Sequence, residues 1–218
     1  MPAKPLDPRQ FFDLGHQGDV DVTMIENRLR MTPTQRWRQH ERWRGFLKRA
    51  PVQPDFLEEM VRRLVQARVE FVIVGGMSAI LQGSTLVTLD LDLCYRRTPD
   101  NIARLVSALA PLDPRPRGFP PELPFVFDER TLRLGSNFTL EVGTEGLDLL
   151  GEMTGLGGYE QIIGQAKDML VGELPVKVLS LEQLIVTKEA VGRPKDLIAI
   201  AELKTILKQQ QERNPPPA

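Results

Sequence analysis

The feature that most constrains the fold of this chain is a pair of glycines directly after a short apolar run. The run Phe71-Val72-Ile73-Val74 is typical of a buried strand, and Gly75-Gly76 ends it, before Met77–Leu81, which favours a short helix. A strand that turns through glycines into a helix presents backbone N–H groups to an anion such as a phosphate. The alternative interpretation is that the glycines form only a tight turn.

A second apolar segment carries two carboxylates. Asp90 and Asp92 lie in Val87–Tyr95, which we predict to be a strand. Side chains on a strand alternate between faces, so these two point the same way, and they repel each other unless a cation or a proton lies between them. The segment therefore predicts a site for a metal-bound nucleotide phosphate. The same alternation is also found on the solvent face of an edge strand.

Asp148, flanked by leucines, is a candidate for a third carboxylate at the same site. Three carboxylates on neighbouring strands can hold two divalent ions, Mg²⁺ or Mn²⁺, about 3.5–4 Å apart. We predict that Asp90 and Asp92 bind both ions and that Asp148 binds only the ion that activates the incoming hydroxyl. Glu141 competes for this third role, but the leucines around Asp148 fit a central strand better. The residues expected to present amides and hydroxyls to the triphosphate are Gly75, Gly76, Ser78 and Ser84.

Composition narrows the class of protein without identifying a partner. The net charge is −1 over 218 residues, so whole-protein charge does not indicate nucleic-acid binding. Cys94 is the single cysteine, which excludes a disulfide within the chain and fits a reducing compartment. The N-terminal residues lack the apolar segment of a signal peptide, and no apolar run is long enough to cross a bilayer. We therefore expect a soluble, cytoplasmic protein.

The order of the predicted elements favours a mixed α/β (α+β) fold, with a small mixed β-sheet flanked by helices. Helices and strands do not alternate regularly, which disfavours a doubly wound sheet. After the Asp90 segment we predict strands at 125–127, 138–142 and 147–150, and then a helix from Tyr159 to about Leu170. The predicted organisation is a disordered start plus a basic helical extension (1–50), a core (51–178), a C-terminal helical part (179–211) and a disordered tail (212–218).

The extension is rich in positive charge. Between Arg28 and Arg49 there are eight arginine or lysine residues, and Glu41 is the only acid. Thr32 and Gln35 predict a capping box at a helix start. Such a helix is most often a solvated face, but a cluster of positive charge can also follow RNA phosphates.

Taken together, these motifs resemble the DNA polymerase β-type nucleotidyltransferase superfamily. The resemblance rests on Gly75-Gly76, a gap of thirteen residues, Asp90-Leu91-Asp92 and the later Asp148. In the C-terminal part, Leu181–Ile185, Lys188 and Arg193-Pro194-Lys195-Asp196 are similar to the AbiEii-like branch, which includes the MenT-type toxins. The resemblance covers about residues 56–207. One departure is Leu86, which stands where family members often carry an arginine.

The resemblance implies a nucleotidyltransferase that moves a nucleoside monophosphate from a nucleoside triphosphate to an acceptor hydroxyl. It implies that Lys188 reaches the nucleotide phosphates, that Arg193 and Lys195 frame the triphosphate or the acceptor, and that Asp196 orients Lys188 or Arg193. RNA, and the tRNA 3′ end in particular, is the acceptor expected for this branch, along with a toxin-like role and an antitoxin-like partner. The alternatives are a small-molecule or protein acceptor, or a nucleotide-binding module without turnover, which Leu86 motivates.

Overall fold

The structure, a computed structural model, describes residues 22–48, 56–120, 122–194 and 196–213. The predicted disordered start (residues 1 to about 20) and the last residues of the predicted tail lie outside these ranges. The described residues form a seven-stranded mixed sheet with helices on both faces, which confirms the predicted mixed α/β class. No helix in this part of the chain has the length and apolar character needed to cross a bilayer.

The elements follow one another from the N-terminal helices to a long C-terminal helix. The helices are α1 (Val22–Leu29), α2 (Pro33–Lys48), α3 (Phe56–Gln66), α4 (Gly75–Gln82), α5 (Pro99–Leu109), α6 (Glu129–Leu134), α7 (Tyr159–Ile162), α8 (Leu181–Val191) and α9 (Asp196–Arg213). The strands are β1 (Phe71–Val74), β2 (Asp90–Tyr95), β3 (Arg115–Pro116), β4 (Asn137–Val142), β5 (Glu145–Leu150), β6 (Lys167–Val171) and β7 (Leu174–Val178).

The sheet has the strand order β3-β4-β5-β2-β1-β7-β6. The central strand β2 is antiparallel to β1 and parallel to β5. β1 pairs in parallel with β7, and hairpins join β4 to β5 and β6 to β7. This order places β2 and β5, the two strands with the predicted site carboxylates, side by side in the middle of the sheet.

The central strands divide their apolar side chains between two cores. In β1, Phe71 and Ile73 pack into the core under α3 and α5, whereas Val72 and Val74 pack into the core under α8 and α9. In β2, Leu91 and Leu93 belong to the first core. Because side chains alternate along a strand, Asp90 and Asp92 face the second side, where α8 and α9 lie.

Three predicted elements differ in the structure. The helix predicted from Tyr159 to about Leu170 is wrong: α7 ends at Ile162, and β6 begins at Lys167 and pairs with β7. Residues 125–127 do not form a strand, and a two-residue strand, β3, lies instead in the preceding proline-rich segment. The last helix runs to Arg213 and so extends into the tail predicted from residue 212.

The capping box predicted from Thr32 and Gln35 is confirmed, and α8 is capped at both ends. The Thr32 N–H donates to Gln35 Oε1 (2.8 Å), and the Gln35 N–H donates to Thr32 Oγ1 (3.2 Å), which is the capping box at the start of α2. The Ser180 side chain accepts the Gln183 N–H at the start of α8, and Gly192 ends that helix in the left-handed conformation.

Several arginines of the basic extension are buried in the fold. Arg28, Arg36 and Arg44 are only 8, 7 and 0% exposed. Arg36 Nε donates to the Arg28 carbonyl (2.8 Å) at the end of α1, and its Nη1 donates to the carbonyl of Leu81 in α4. Arg44 forms ion pairs with Glu41 (3.0 Å) and with Glu145 at the start of β5. Arg36 therefore links α2 to α1 and α4, and Arg44 links α2 to β5, so α2 is not a fully solvated basic face.

Candidate active site

Three carboxylates meet on one face of the central strands. The parallel register places Asp92 opposite Asp148 and Asp90 opposite Gly146. Gly146 leaves space for this cluster, since a Cβ atom there would lie 1.9 Å from Asp90 Oδ1. The fold therefore brings together Asp90, Asp92 and Asp148, which were predicted as site residues from two separate segments of the sequence.

The two glycines form the turn that carries the chain from β1 into α4 beside this cluster. Gly75 has φ 58°, and a Cβ atom on it would lie 2.0 Å from Asp92 Oδ2. A Cβ atom on Gly76 would lie 2.6 Å from Thr88 Cβ. The Gly76 N–H donates a hydrogen bond to the Asp92 carboxylate. Both positions therefore require glycine, because the turn packs directly against Asp92 and Thr88.

The Asp92 carboxyl has a strongly perturbed pKa. This pKa is raised to about 7, chiefly by burial and then by the neighbouring charges of Asp148 and Asp90, against the hydrogen bond from Gly76 and the charge of Lys188. The pKa of Asp148 is also raised, chiefly by burial and with a contribution from Asp90, while Arg117 opposes the shift. Such repulsion is relieved by a cation or a proton at the cluster.

Arg117 supplies one such cation, although its local sequence does not mark it as a site residue. Its Nη2 lies 3.1 Å from Asp90 Oδ1 and 3.3 Å from Asp148 Oδ1. It follows β3 in a proline-rich segment, where it resembles an ordinary turn residue. The pairing of β3 with β4, which carries Arg117 over the carboxylates, has no marker in the local sequence.

The opposite wall of the cleft carries two cations held by one buried carboxylate. Lys188 Nζ on α8 lies 2.9 Å from Asp196 Oδ1, and Arg193 Nε lies 2.7 Å from Asp196 Oδ2. Burial tends to raise the pKa of Asp196, but the hydrogen bonds from Arg193 and Lys188 outweigh it and hold this pKa below its usual value. Asp196 thus holds both cations in place through these ion pairs. Lys188 and Arg193 also act electrostatically on Asp92. Lys195 lies outside the described residues.

The two predicted hydroxyls are placed differently from the glycines. Ser78 Oγ donates to the Gly75 carbonyl (3.1 Å) and stabilises the turn. Ser84 lines the cleft, but its Oγ donates to Glu202 of α9 (2.6 Å). Both hydroxyls are bound to protein groups in this arrangement, so their contact with a triphosphate stays a prediction.

A cleft of about 560 Å³ connects these groups. Its polar lining includes Gly75, Gly76, Thr88, Asp90, Asp92, Asn137, Asp148, Glu152, Lys188, Arg193 and Asp196. Leu86, in the position where the resembled family often has an arginine, also lines the cleft and is 38% exposed. Asp148 faces this cleft, whereas Glu141, the alternative third carboxylate, lies on β4 opposite Gly146.

The residue types fit a divalent ion, because aspartate carboxylates are preferred ligands of Mg²⁺ and Mn²⁺. Within the described ranges, however, no group of three or more His, Cys, Asp or Glu side chains is arranged to hold an ion. The guanidinium of Arg117 lies between Asp90 and Asp148, and Asp92 contacts the glycine turn. The cluster therefore has the donor chemistry for a metal without a preformed three-ligand site.

No protein-family model matches this chain, and no curated protein matches it. Among solved structures, it is similar to ANT(2″)-Ia in complex with adenylyl-2″-tobramycin, with 18% identity over 72% of this chain and 89% of the other, and a TM-score of 0.46. A solution structure of ANT(2″)-Ia has 17% identity over 72% and 83%, with a TM-score of 0.47. TM1012 of Thermotoga maritima, described provisionally as a nucleotidyltransferase, has 16% identity over 74% and 96%, with a TM-score of 0.41. At these identities the likeness does not establish the reaction.

Proposed function

We propose that this protein is a metal-dependent nucleotidyltransferase, which moves a nucleoside monophosphate from a nucleoside triphosphate to an acceptor hydroxyl and releases pyrophosphate. The observation that carries the proposal is the pairing of two opposite walls in one cleft. One wall has three carboxylates beside a glycine turn, and the other has two cations fixed by a buried aspartate. A triphosphate with its metal ion is a ligand that complements both walls.

Each part of the cleft has a role in this proposal. Lys188 and Arg193 bind the phosphates as charged donors, and the Gly75-Gly76 turn lets the backbone approach them closely. Asp196 acts through the two cations, because its hydrogen bonds hold them in place before the nucleotide arrives. Asp90, Asp92 and Asp148 are the residues that would hold Mg²⁺ or Mn²⁺, which would neutralise charge on the transferred phosphoryl group when bound.

The reaction class is tested by incubating the protein with each radiolabelled nucleoside triphosphate, Mg²⁺ or Mn²⁺, and a mixture of acceptors. We expect pyrophosphate release with the wild type and none with Asp90→Asn. Asp168→Asn is the matched control, since its side chain is 82% exposed and pairs with Lys177 on the far hairpin. Wild-type release by the Asp90 variant would remove the carboxylates from the mechanism. Nucleotide binding without release would favour a non-catalytic module.

For the acceptor we propose RNA, with the tRNA 3′ end as the first candidate and a toxin-like role, as the resemblance to the AbiEii-like branch implies. Its physical support is the exposed charge of Arg38 and Arg42 on α2 and of Arg30 in the turn before it. Neutralising all three should weaken RNA binding and lower its salt dependence. Growth arrest on expression, relieved by Asp90→Asn, tests the toxin role and would justify a search for an antitoxin-like partner.

A small-molecule acceptor is the second candidate, and the burial of Arg28, Arg36 and Arg44 favours it. These three side chains are engaged within the protein, so the basic surface is smaller than the sequence suggests. Total tRNA and a panel of small polyhydroxylated acceptors should be compared in the same labelling assay. Label in tRNA supports the RNA acceptor, and label only in small products supports the second candidate.

A further inference from the structure

Arg117 occupies a cation seat built from four oxygen atoms of three residues. Its Nη2 lies 3.1 Å from Asp90 Oδ1, 3.3 Å from Asp148 Oδ1 and 3.4 Å from the Leu140 carbonyl oxygen. Its Nη1 is also 3.4 Å from Asp90 Oδ2. A guanidinium carries a full positive charge, so that charge stays in this seat as long as the side chain does.

The surrounding backbone is shaped to hold the guanidinium there. The Arg117 N–H donates to the Thr139 carbonyl (3.0 Å), which fixes the start of the side chain at the edge of β4. A Cβ atom on Gly146 would lie 2.6 Å from Arg117 Nη2, so only glycine leaves room beneath the guanidinium. Arg117 therefore has a fitted position over the carboxylates, unlike a typical surface ion pair.

The seat is also open on one side. The Arg117 side chain is 38% exposed, and it projects from the short turn after β3. The partners that hold the guanidinium in the seat are two carboxylates and one carbonyl group. The side chain can therefore leave the seat for solvent without unfolding its neighbours.

We propose that Arg117 is a positioning residue that serves as the resident cation of the cleft, and that it competes with a divalent metal ion for Asp90 and Asp148. This inference rests on the proposed function. With Arg117 seated, the guanidinium occupies carboxylate oxygens that a metal would need and repels the ion. With Arg117 displaced, the carboxylates can rotate towards a common ion, and a divalent charge replaces a single positive charge. The exchange sets how tightly the protein binds metal before nucleotide arrives.

The test is direct measurement of Mn²⁺ binding, without nucleotide, by calorimetry and by electron paramagnetic resonance. The variants are Arg117→Ala, Arg117→Lys and the control Arg62→Ala. Arg62 matches Arg117 because it is 44% exposed and contacts two carboxylates, but these lie on its own helix α3. Arg117→Ala removes two exposed ion pairs with which Mn²⁺ has to compete, so we expect it to tighten Mn²⁺ binding by roughly three- to tenfold. Arg117→Lys should lie between Arg117→Ala and the wild type, and Arg62→Ala should match the wild type.

A double variant separates competition from a general structural effect. Asp148→Asn removes one shared carboxylate, so adding Arg117→Ala to it should give a smaller gain in affinity than in the wild type. Thermal unfolding verifies that each variant is folded. Equal or weaker Mn²⁺ binding by Arg117→Ala than by the wild type would overturn the proposal, as would failure of both proteins to bind Mn²⁺ at millimolar concentration. A gain in affinity in a protein that transfers no nucleotide would support the exchange and refute the proposed reaction.

Discussion

Replacing Asp92 with asparagine should stabilise the metal-free protein at alkaline pH. In the unfolded state the Asp92 carboxyl has its ordinary pKa of 3.8, whereas in the folded state its pKa is raised to about 7. Between these values the folded state binds more protons than the unfolded state, so the free energy of unfolding falls as pH rises from 4 to 7. Above pH 7 the folded wild type bears the full cost of the Asp92 charge. Asparagine avoids this cost and can still accept the Gly76 N–H.

The size of the effect follows from the two pKa values. Their difference corresponds to about 4 kcal/mol at 1.36 kcal/mol per pH unit, and partial solvation of the side chain reduces it. We expect Asp92→Asn to raise the free energy of unfolding by about 2–4 kcal/mol near pH 8 in the presence of a chelator. The gain should shrink as the pH falls through 7 and approach zero near pH 4.

The assay is urea unfolding, followed by circular dichroism, at a series of pH values with and without Mg²⁺. Asp168→Asn should show no comparable gain at any pH, because its exposed carboxylate faces solvent. Mg²⁺ should stabilise the wild type more than Asp92→Asn, since only the wild type keeps all three carboxylates. If Asp92→Asn is no more stable than the wild type near pH 8 in chelator, or if its gain does not depend on pH, the electrostatic reasoning fails.

Three further substitutions test separate parts of the cleft. Gly75→Ala places a methyl group against the Asp92 carboxylate at a positive φ. It should lower the free energy of unfolding by about 1–3 kcal/mol in urea, and it should abolish nucleotide binding measured by calorimetry. Glu202→Ala leaves three donors without an acceptor, namely the buried Ser84 hydroxyl and the half-buried N–H and hydroxyl of Thr85, which now lie 2.6–2.7 Å from Glu202. Thermal and urea unfolding should show a loss of about 2–4 kcal/mol. Lys188→Met should raise the KM for nucleoside triphosphate by roughly tenfold, in the pyrophosphate-release assay, because one charged phosphate donor is lost. An unchanged KM would remove Lys188 from the phosphate site.

The carboxylates were predictable because their signal is local. Apolar residues on both sides of Asp90, Asp92 and Asp148 mark central strands, and the period of two assigns Asp90 and Asp92 to one face. The parallel pairing of β2 with β5, which sets Asp148 opposite Asp92, joins segments far apart in the sequence. Local patterns do not contain that register, and the sequence could only suggest that the third carboxylate lies near the other two.

The errors have the same physical origin. The spacing of Ile162, Met169 and Leu170 fits one long helix from Tyr159 as well as a short helix followed by a strand. In the structure, pairing with β7 in a hairpin stabilises the strand β6. In the basic extension, the sequence reports charge but not burial. Arg36 and Arg44 look like solvated residues until their carbonyl and carboxylate partners, supplied by other elements, are known.

The charge balance of the cleft connects the perturbed Asp92 to the exchange proposed for Arg117. Five carboxylates share the cleft with three cations: Asp90, Asp92, Asp148, Glu152 and Asp196 with Arg117, Lys188 and Arg193. With every group ionised the cleft has two excess negative charges, and the raised pKa of Asp92 relieves part of that excess by keeping a proton. Exchange of Arg117 for a divalent ion adds one net positive charge, which is as much charge as the proton on Asp92 supplies. The ion can therefore take the place of that proton, so metal binding should release a proton near neutral pH and free the Asp92 carboxylate as a ligand.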